Sequence, residues 1–140
     1  MKLRLVNRAP QPDGVLLVAL GDEQVRAIDR LTRGTSPQAT PQPGDEFDAS
    51  VSYQLDLDRE PHLLPVDASA PSSLRQTSGC GADAVGVILS IDSVSPERRV
   101  MVAQVDCGGW VLPAPMDVTD AALIGRRVAF TIAALEVWRR

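Results

Sequence analysis

The stretch that constrains the fold most is Phe47–Asp58, FDASVSYQLDLD, in which apolar and polar residues alternate without a break. A period of two places every apolar side chain on one face of a β-strand, whereas a helix would scatter them around its circumference. Such a strand must lie in a sheet whose other members cover its apolar face. The stretch therefore predicts a β domain with Val51, Tyr53 and Leu55 in its core.

Length and composition predict one domain over residues 1–140. A chain of 140 residues buries about 65–70% of its unfolded surface and needs neither a disulfide nor a metal to fold. Its 44% hydrophobic and 23% charged residues are ordinary for a globular protein. Because aromatic residues make up only 4% of the chain, we expect an aliphatic core.

Two segments before this strand also predict strands. Val15–Leu20 is a continuous apolar run of strand length, which is typical of a strand buried on both faces. Val25–Leu31 fits either a strand in a hairpin with this run or a short helix capped by Asp22. The hairpin is favoured, because a short turn after a buried strand is the commoner connection.

The C-terminal part predicts a three-stranded meander. Its strands are Val85–Ile91, Val100–Val105 and Trp110–Leu112, and Pro113 and Pro115 are expected to end the third. Turn-forming residues lie between the strands, so each strand can pair with the next one along the chain.

A short helix and a long last strand follow the meander. The helix is predicted at Val118–Ile124, with Asp117 as its N-cap and Gly125 as its C-terminal stop. The strand Arg127–Val137 shifts its apolar phase by one residue at Ala133-Ala134. A β-bulge produces such a shift and bends the strand. With this bulge, Leu135 and Val137 are expected to face the core and Trp138 to face outward.

The order strand, strand, strand, short helix, strand over the C-terminal third resembles part of the order in oligonucleotide/oligosaccharide-binding (OB) barrels. Gly86, inside the first strand of the meander, predicts a bulge or the close approach of another backbone. The expected fold is mainly β: a small, partly closed antiparallel β-barrel, OB-like or related, with one short helix near Val118–Ile124. A fold of this kind does not by itself give a function.

Two long irregular loops are expected, at about residues 32–45 and 59–83. Both are rich in proline, serine and glycine and have no apolar period. Irregular segments of this length in a compact domain are usually functional or disordered. We therefore treat them as loops of one domain and as candidates for binding.

Charge and cysteine content limit the expected partners and the expected cellular compartment. A net charge of −4 argues against a dedicated nucleic-acid-binding protein, whose affinity depends on neutralising phosphates. No apolar run reaches the length of a membrane span, and the N-terminus does not resemble a signal peptide, so we expect a cytoplasmic protein without membrane contact. In that setting Cys80 and Cys107 are expected to be unlinked thiols.

The single histidine allows one catalytic hypothesis. Cys80 could act as a nucleophile with His62 as its base, although both lie in the same loop and no residue is identified that would orient the histidine. A metal site from His62, Cys80 and Cys107 would need ligands from distant loops without the paired spacing of zinc sites. The sequence therefore predicts no cofactor and no metal.

Opposite charges in two segments suggest a partner-binding site. Asp45–Glu60 carries six acids and one arginine, net −5, whereas Ile124–Arg140 carries four arginines and one glutamate, net +3. The two segments could pair within one sheet or between subunits. The candidate partner-binding residues are Trp138, Arg126, Arg139, Asp48, Asp56 and Asp58.

Three functions remain open. The first is a non-catalytic binding or assembly module that grips a protein partner, or a second copy of itself, through a sheet face, a strand edge or a long loop. The second is a barrel that binds a small ligand or single-stranded nucleic acid, which usually requires stacked aromatics with basic neighbours. The third is a small enzyme that uses Cys80 and His62. The acidic balance and the scarcity of aromatics favour the first.

Overall fold

The computed structural model describes residues 1–140 except residues 12, 33–39, 56–62, 96–99 and 117–122. Over these residues the fold is mainly β, with almost no helix. Within the described residues, ten strands follow one another in chain order: β1 (Lys2–Arg8), β2 (Val15–Leu20), β3 (Glu23–Asp29), β4 (Glu46–Leu55), β5 (Leu64–Pro65), β6 (Ser73–Gln76), β7 (Ala82–Ser95), β8 (Val100–Cys107), β9 (Trp110–Met116) and β10 (Arg127–Arg139).

Backbone contacts divide the chain into two compact units. The first unit comprises Met1–Leu55, Gln76–Ala82 and Ala133–Arg140, and the second comprises Asp56–Arg75 and Asp83–Ile132. The single-domain expectation for residues 1–140 stays a prediction, because this division does not decide whether the two units fold separately.

Five strands form a ring in the first unit. β1 pairs antiparallel with β2 and β4, and β2 pairs antiparallel with β3. The C-terminal half of β10 pairs antiparallel with β4 and parallel with β3, which closes the ring. Every strand contributes buried aliphatic side chains to the core of this unit: Leu3, Leu5, Leu16, Val18, Val25, Ala27, Ala49, Val51, Leu135 and Val137.

The alternating stretch forms β4, as predicted. Phe47, Ala49 and Val51 are buried, whereas Asp48 and Ser50 are exposed. The expected core position is met by Val51 but only partly by Tyr53, which is half-buried. The side chain of Leu55 and residues 56–58 of the predicted strand lie outside the described part.

The hairpin prediction for Val25–Leu31 is confirmed. β2 and β3 pair along their whole length from Leu20 opposite Glu23 to Val15 opposite Ile28. The two-residue turn between them begins at Gly21, whose φ of 59° lies in the left-handed region that glycine adopts without strain. The turn therefore sets the register of the hairpin.

The ring does not lie where the sequence suggested a barrel. It contains the four N-terminal strands and the last part of β10, so the C-terminal third contributes only β10 to it. The reason is that the order of strands along the chain does not indicate which strands pair over long sequence distances. The finding that holds at this level is a mainly β fold with a ring of five strands.

The second unit contains the predicted meander. β7 pairs with β8, β8 pairs with β9, and β7 and β5 both pair with β10. The close approach predicted at Gly86 is present, since a Cβ there would lie 2.5 Å from the carbonyl oxygen of Asp106. Large side chains fill the core of this unit: Ile88, Val105, Trp110, Leu112, Val128 and Phe130.

The prediction that two prolines end the third strand of the meander is wrong. β9 continues to Met116, and Pro113 and Pro115 pair with Gln104 and Val102 of β8. In the pairings described, β9 has β8 as its only neighbour. Prolines two residues apart lack their N–H groups on the same edge, so they are compatible with a strand whose other edge carries the ladder.

The predicted phase shift in β10 is present. Phe130 and Ile132 are buried before it, Leu135 and Val137 are buried after it, and the two alanines at 133 and 134 between them are not. The chain passes from the second unit to the first at this point. One continuous strand thereby supplies core residues to both units.

The remaining predictions concern loops and the helix. Most of the helix predicted at Val118–Ile124 lies outside the described residues. Residues 33–39 and 59–62 of the two predicted loops also lie outside them. The described part of the second loop is less irregular than expected, because it contains β5 and β6 and leads to the buried Cys80.

Candidate functional site

The six candidate partner-binding residues fall into three groups. Trp138, Arg139 and Asp48 belong to the first unit, and Arg126 belongs to the second. Asp56 and Asp58 lie outside the described residues. The structure therefore brings three of the six into one sheet, and an interface formed by all six stays a prediction.

Trp138 lies on the outward face of β10. Leu135 and Val137 are fully buried, whereas Trp138 is half-buried and lies opposite Ser50 of β4. Its indole Nε1 donates a hydrogen bond of 2.9 Å to the Oγ of Ser52. The side chain is thus hydrogen-bonded to its own sheet, and part of it stays exposed to solvent.

The acidic and basic segments are neighbours within the first unit. β4 runs antiparallel to β10, with Arg139 opposite Ala49. The carboxylate of Asp48, however, lies 3.7 Å from the amine of Lys2 on β1. Both side chains are more than 60% exposed, so this pair contributes little to stability. The pairing of the segments is thus carried by the backbone ladder rather than by an Asp48–arginine ion pair.

The catalytic hypothesis gains no support from the thiols. Both cysteines are free and buried. Burial raises the pKa of the Cys80 thiol, against a smaller lowering by Arg26, and burial together with Asp106 raises the pKa of Cys107 to about 12. A neutral thiol is a weak nucleophile. His62, the proposed base, lies outside the described residues.

A cleft of about 620 Å³ lies on the outer surface of the ring. Its walls are the end of β1, the start of β2 and the outward side chains of β3, together with Gln76. We call it the β2–β3 cleft. Val15, which is 48% exposed, and the half-buried Leu17 give it an apolar part. Its lining is Asn7, Arg8, Ala9, Val15, Leu16, Leu17, Gln24, Arg26 and Gln76.

Hydrogen bonds fix the position of Arg26 in this cleft. Its backbone N–H donates to the Oε1 of Gln76 at 2.6 Å, and the Nε2 of Gln76 donates to its carbonyl oxygen at 3.1 Å. Its guanidinium donates through Nε to the carbonyl of Gly79 at 2.9 Å and through Nη2 to that of Thr77 at 3.3 Å. The amide of Gln76 therefore occupies the edge of β3 where a strand would otherwise pair.

The neighbouring arginines have carboxylate partners. Arg8 lies 2.6 Å from Oδ2 of Asp29, which is 2% exposed, although the angle is poor for a hydrogen bond. Arg30 pairs with Asp13 and, at 3.3 Å, with Glu136. The hydrogen bond that the guanidinium donates to Asp13 is the main reason that the pKa of Arg30 is raised. These two cations are consequently neutralised within the unit.

The second unit has an apolar outer face. Leu64 of β5 lies opposite Ala129 of β10, Leu89 belongs to β7, and Ile124 precedes Gly125, whose N–H donates to the carbonyl oxygen of Ile88. Leu64, Leu89 and Ile124 are 50%, 50% and 48% exposed. We call this surface the β5–β7–β10 face.

A hollow of about 650 Å³ in the second unit is lined by residues of the same three strands and of the segment before β10. Its apolar lining includes Val66, Val87 and Leu123, and its charged lining is Arg126 and Arg127. Arg127 is held by the carbonyl of Ala68 and the hydroxyl of Ser72, whereas Arg126 is exposed. Sequence reasoning selected Arg126 for its charge but missed the aliphatic residues, because they come from three separate segments.

No family model matches the chain, and neither a curated protein nor a solved structure matches it. In the described part of the chain, no helix is long and apolar enough to cross a membrane. Over the same residues, no group of three or more histidine, cysteine, aspartate or glutamate side chains could hold a metal ion.

Proposed function

We propose that this chain is a non-catalytic binding module that holds a protein partner on the β5–β7–β10 face. The observation that carries the proposal is that Leu64, Leu89 and Ile124, all in the second unit, are half-exposed. Contiguous exposed aliphatic surface on a folded protein marks an interaction site more often than scattered apolar residues do.

The other attachment modes have less support. The outer edge of β9 carries Pro113 and Pro115, which cannot donate hydrogen bonds to an added strand. The described part of the loop 59–83 is attached to its own unit through β5 and β6. Sheet-face binding is therefore the mode that the described residues favour.

Arg126 gives the face a polar group at its rim. It is exposed, and it lies beside the aliphatic residues of the hollow. Interfaces combine a desolvated apolar centre with arginine anchors, so this arrangement supports a protein partner that offers an apolar surface flanked by a carboxylate.

The test compares two glutamate variants. Leu89→Glu places a charge on the β5–β7–β10 face, and Val15→Glu does so at a residue of similar exposure in the first unit. Light scattering measures self-association first. If the protein is a monomer, its partner is isolated, purified and titrated by calorimetry.

We expect Leu89→Glu to weaken association at least about tenfold, since a charge would have to be desolvated. Val15→Glu should associate like the original protein, and both variants should keep its thermal midpoint. Equal association of Leu89→Glu and the original protein, with either a second copy or the purified partner, would refute the proposal.

We propose in addition that the five-stranded ring is an OB-type barrel, with the second unit inserted before its last strand. The ring order β1-β2-β3-β10-β4 and its return to β1 support this assignment. OB barrels have five strands and bind ligands on the face of their second and third strands.

The second candidate function follows from that assignment: a barrel that binds a small ligand or single-stranded nucleic acid in the β2–β3 cleft. Arg26 in its lining, to which the described residues give no ion pair, favours it. The lining has no aromatic side chain on which a base could stack. Fluorescence anisotropy with a labelled oligothymidylate is expected to show no binding at about 0.15 M salt, and tight binding would reverse the order of the two candidates.

A further inference from the structure

We infer that the β2–β3 cleft is a binding site for a small amphipathic carboxylate. Its carboxylate contacts Arg26, and its apolar chain lies on Val15 and Leu17. The inference rests on the second candidate function and names the class of ligand that this cleft accepts.

Arg26 supplies the positive charge of the cleft. Its described partners, Gly79 and Thr77, are both backbone carbonyls, and the described residues give it no ion pair. Carbonyl oxygens orient a guanidinium without cancelling its charge. Arg8 and Arg30, by contrast, are each paired with carboxylates. Arg26 is thus the cation in the cleft whose charge a ligand would neutralise.

Hydrogen bonds also hold Arg26 in one position. Two guanidinium nitrogens and both backbone polar groups of this residue are already bonded, and the Nε2 of Gln76 also donates to the carbonyl of Gly81 at 3.2 Å. Binding a ligand therefore costs little further side-chain entropy. An arginine held in this way presents a planar edge that suits a carboxylate.

The size and lining of the cleft suit a small amphipathic molecule. Its volume of about 620 Å³ is that of a small-molecule site. Val15 and Leu17 offer aliphatic surface, and the amides of Asn7 and Gln24 lie in the same lining. A charged group at one side and an aliphatic surface at the other fit a molecule that has both features.

Octanoate is the probe, and octanamide and acetate are its matched controls. Octanamide keeps the chain without the charge, and acetate keeps the charge without the chain. Binding is followed in a ¹⁵N–¹H NMR titration of the whole protein, through the amide signals of residues that line the cleft.

Arg26→Gln removes the charge and Arg26→Lys keeps it. Arg4→Gln removes an exposed arginine of β1 that is not in the lining. A thermal melt of each variant checks that it is folded. If Arg26→Gln does not fold, Val15→Glu replaces it, because its added carboxylate repels the probe without touching the bonds of Arg26.

We expect octanoate to bind at least about tenfold more tightly than either control compound. Arg26→Gln or Val15→Glu should weaken its binding about tenfold or more, Arg26→Lys should weaken it less, and Arg4→Gln should leave it unchanged. Equal shifts by octanoate and octanamide, or unchanged octanoate affinity in Arg26→Gln, would overturn the inference.

The failure of the inference can be told apart from the failure of the second candidate function. If the oligonucleotide shifts the cleft signals and octanoate does not, the inference is wrong and the second candidate function stands. If none of the four probes, octanoate, octanamide, acetate and the oligonucleotide, shifts them, both are wrong.

Discussion

The outer surfaces of the two units differ far more than their cores do. Both cores consist mainly of aliphatic side chains. Outside, the cleft of the first unit combines amides and arginines with the aliphatic side chains of Val15 and Leu17, whereas the β5–β7–β10 face of the second presents half-exposed leucine and isoleucine. Because burial alone accounts for the cores, the two proposed binding sites differ through these surfaces.

The units also differ in how their strand edges are satisfied. In the first unit the ring leaves each strand with two neighbours, and the amide of Gln76 covers β3 at Arg26. In the second unit, β9 has one neighbour among the described pairings and carries prolines. One unit removes its edges by closure and the other blocks its edge chemically, which are two separate defences against unwanted strand pairing.

The largest expected effect comes from Val51→Asp in the core of the first unit. Val51 is 2% exposed, so the new carboxylate would be buried without a partner, at a cost of about 4 kcal/mol or more. The variant is expected to be unfolded at room temperature by circular dichroism. Ser50→Asp, one residue earlier and exposed, is the matched control and should stay folded.

The same variant tests whether the two units form one domain. Trp138 belongs to the first unit and Trp110 to the second, so single-tryptophan versions give one fluorescence signal for each. We expect both signals to change in Val51→Asp, as the single-domain prediction requires. A native Trp110 spectrum beside an unfolded Trp138 spectrum would show two independent domains.

The sequence predicted the elements whose signal is local. The alternation of β4, the β2–β3 hairpin, the close approach at Gly86 and the phase shift of β10 each depend on residues near one another in the chain. The parallel pairing of Glu136 with Ile28 has no such signal, so the strands that close the ring could not be identified.

The candidate site was predicted less well, for the same reason. Trp138 was placed on the outward face of β10 because the phase shift is readable in sequence. Its hydrogen bond to Ser52 joins two strands that are distant in the chain and could not be foreseen. Both surfaces were missed, since their residues, such as Arg26 and Gln76 of the cleft, are distant in the chain and come together only in the folded protein.

A smaller effect should separate the buried thiols of the two units. The pKa of Cys107 is raised to about 12 from an ordinary value of 9.0. The unfolded chain therefore loses this proton at a lower pH than the folded protein does, and the free energy of unfolding falls as the pH rises from 9.0 towards about 12. The loss is at most about 1.4 kcal/mol per pH unit.

Urea unfolding at about pH 8 and about pH 10 checks this expectation. Between these two values, Cys107→Ala should lose about 1 kcal/mol less stability than the original protein, because its titrating group is gone. Cys80→Ala is the control in the first unit. Burial also raises the pKa of Cys80, but Arg26 opposes the shift. Cys80→Ala should therefore reduce the stability loss between the two pH values by less than Cys107→Ala does. An equal reduction of the stability loss in the two variants would contradict the different environments of the two thiols.

The smallest expected effect concerns Trp138. Trp138→Phe keeps an aromatic ring on the outward face of β10 but removes the N–H that donates to Ser52. We expect a loss of about 0.5–1.5 kcal/mol in the free energy of unfolding. We expect no change in association, because the indole N–H is already hydrogen-bonded within its own sheet. Ser52→Ala removes the other partner, and the double variant should lose less than the sum of the two single losses. An indole that instead anchors a partner subunit would give the opposite pattern: Trp138→Phe would lower the mass measured by light scattering, and the melting of the dilute monomer would not change.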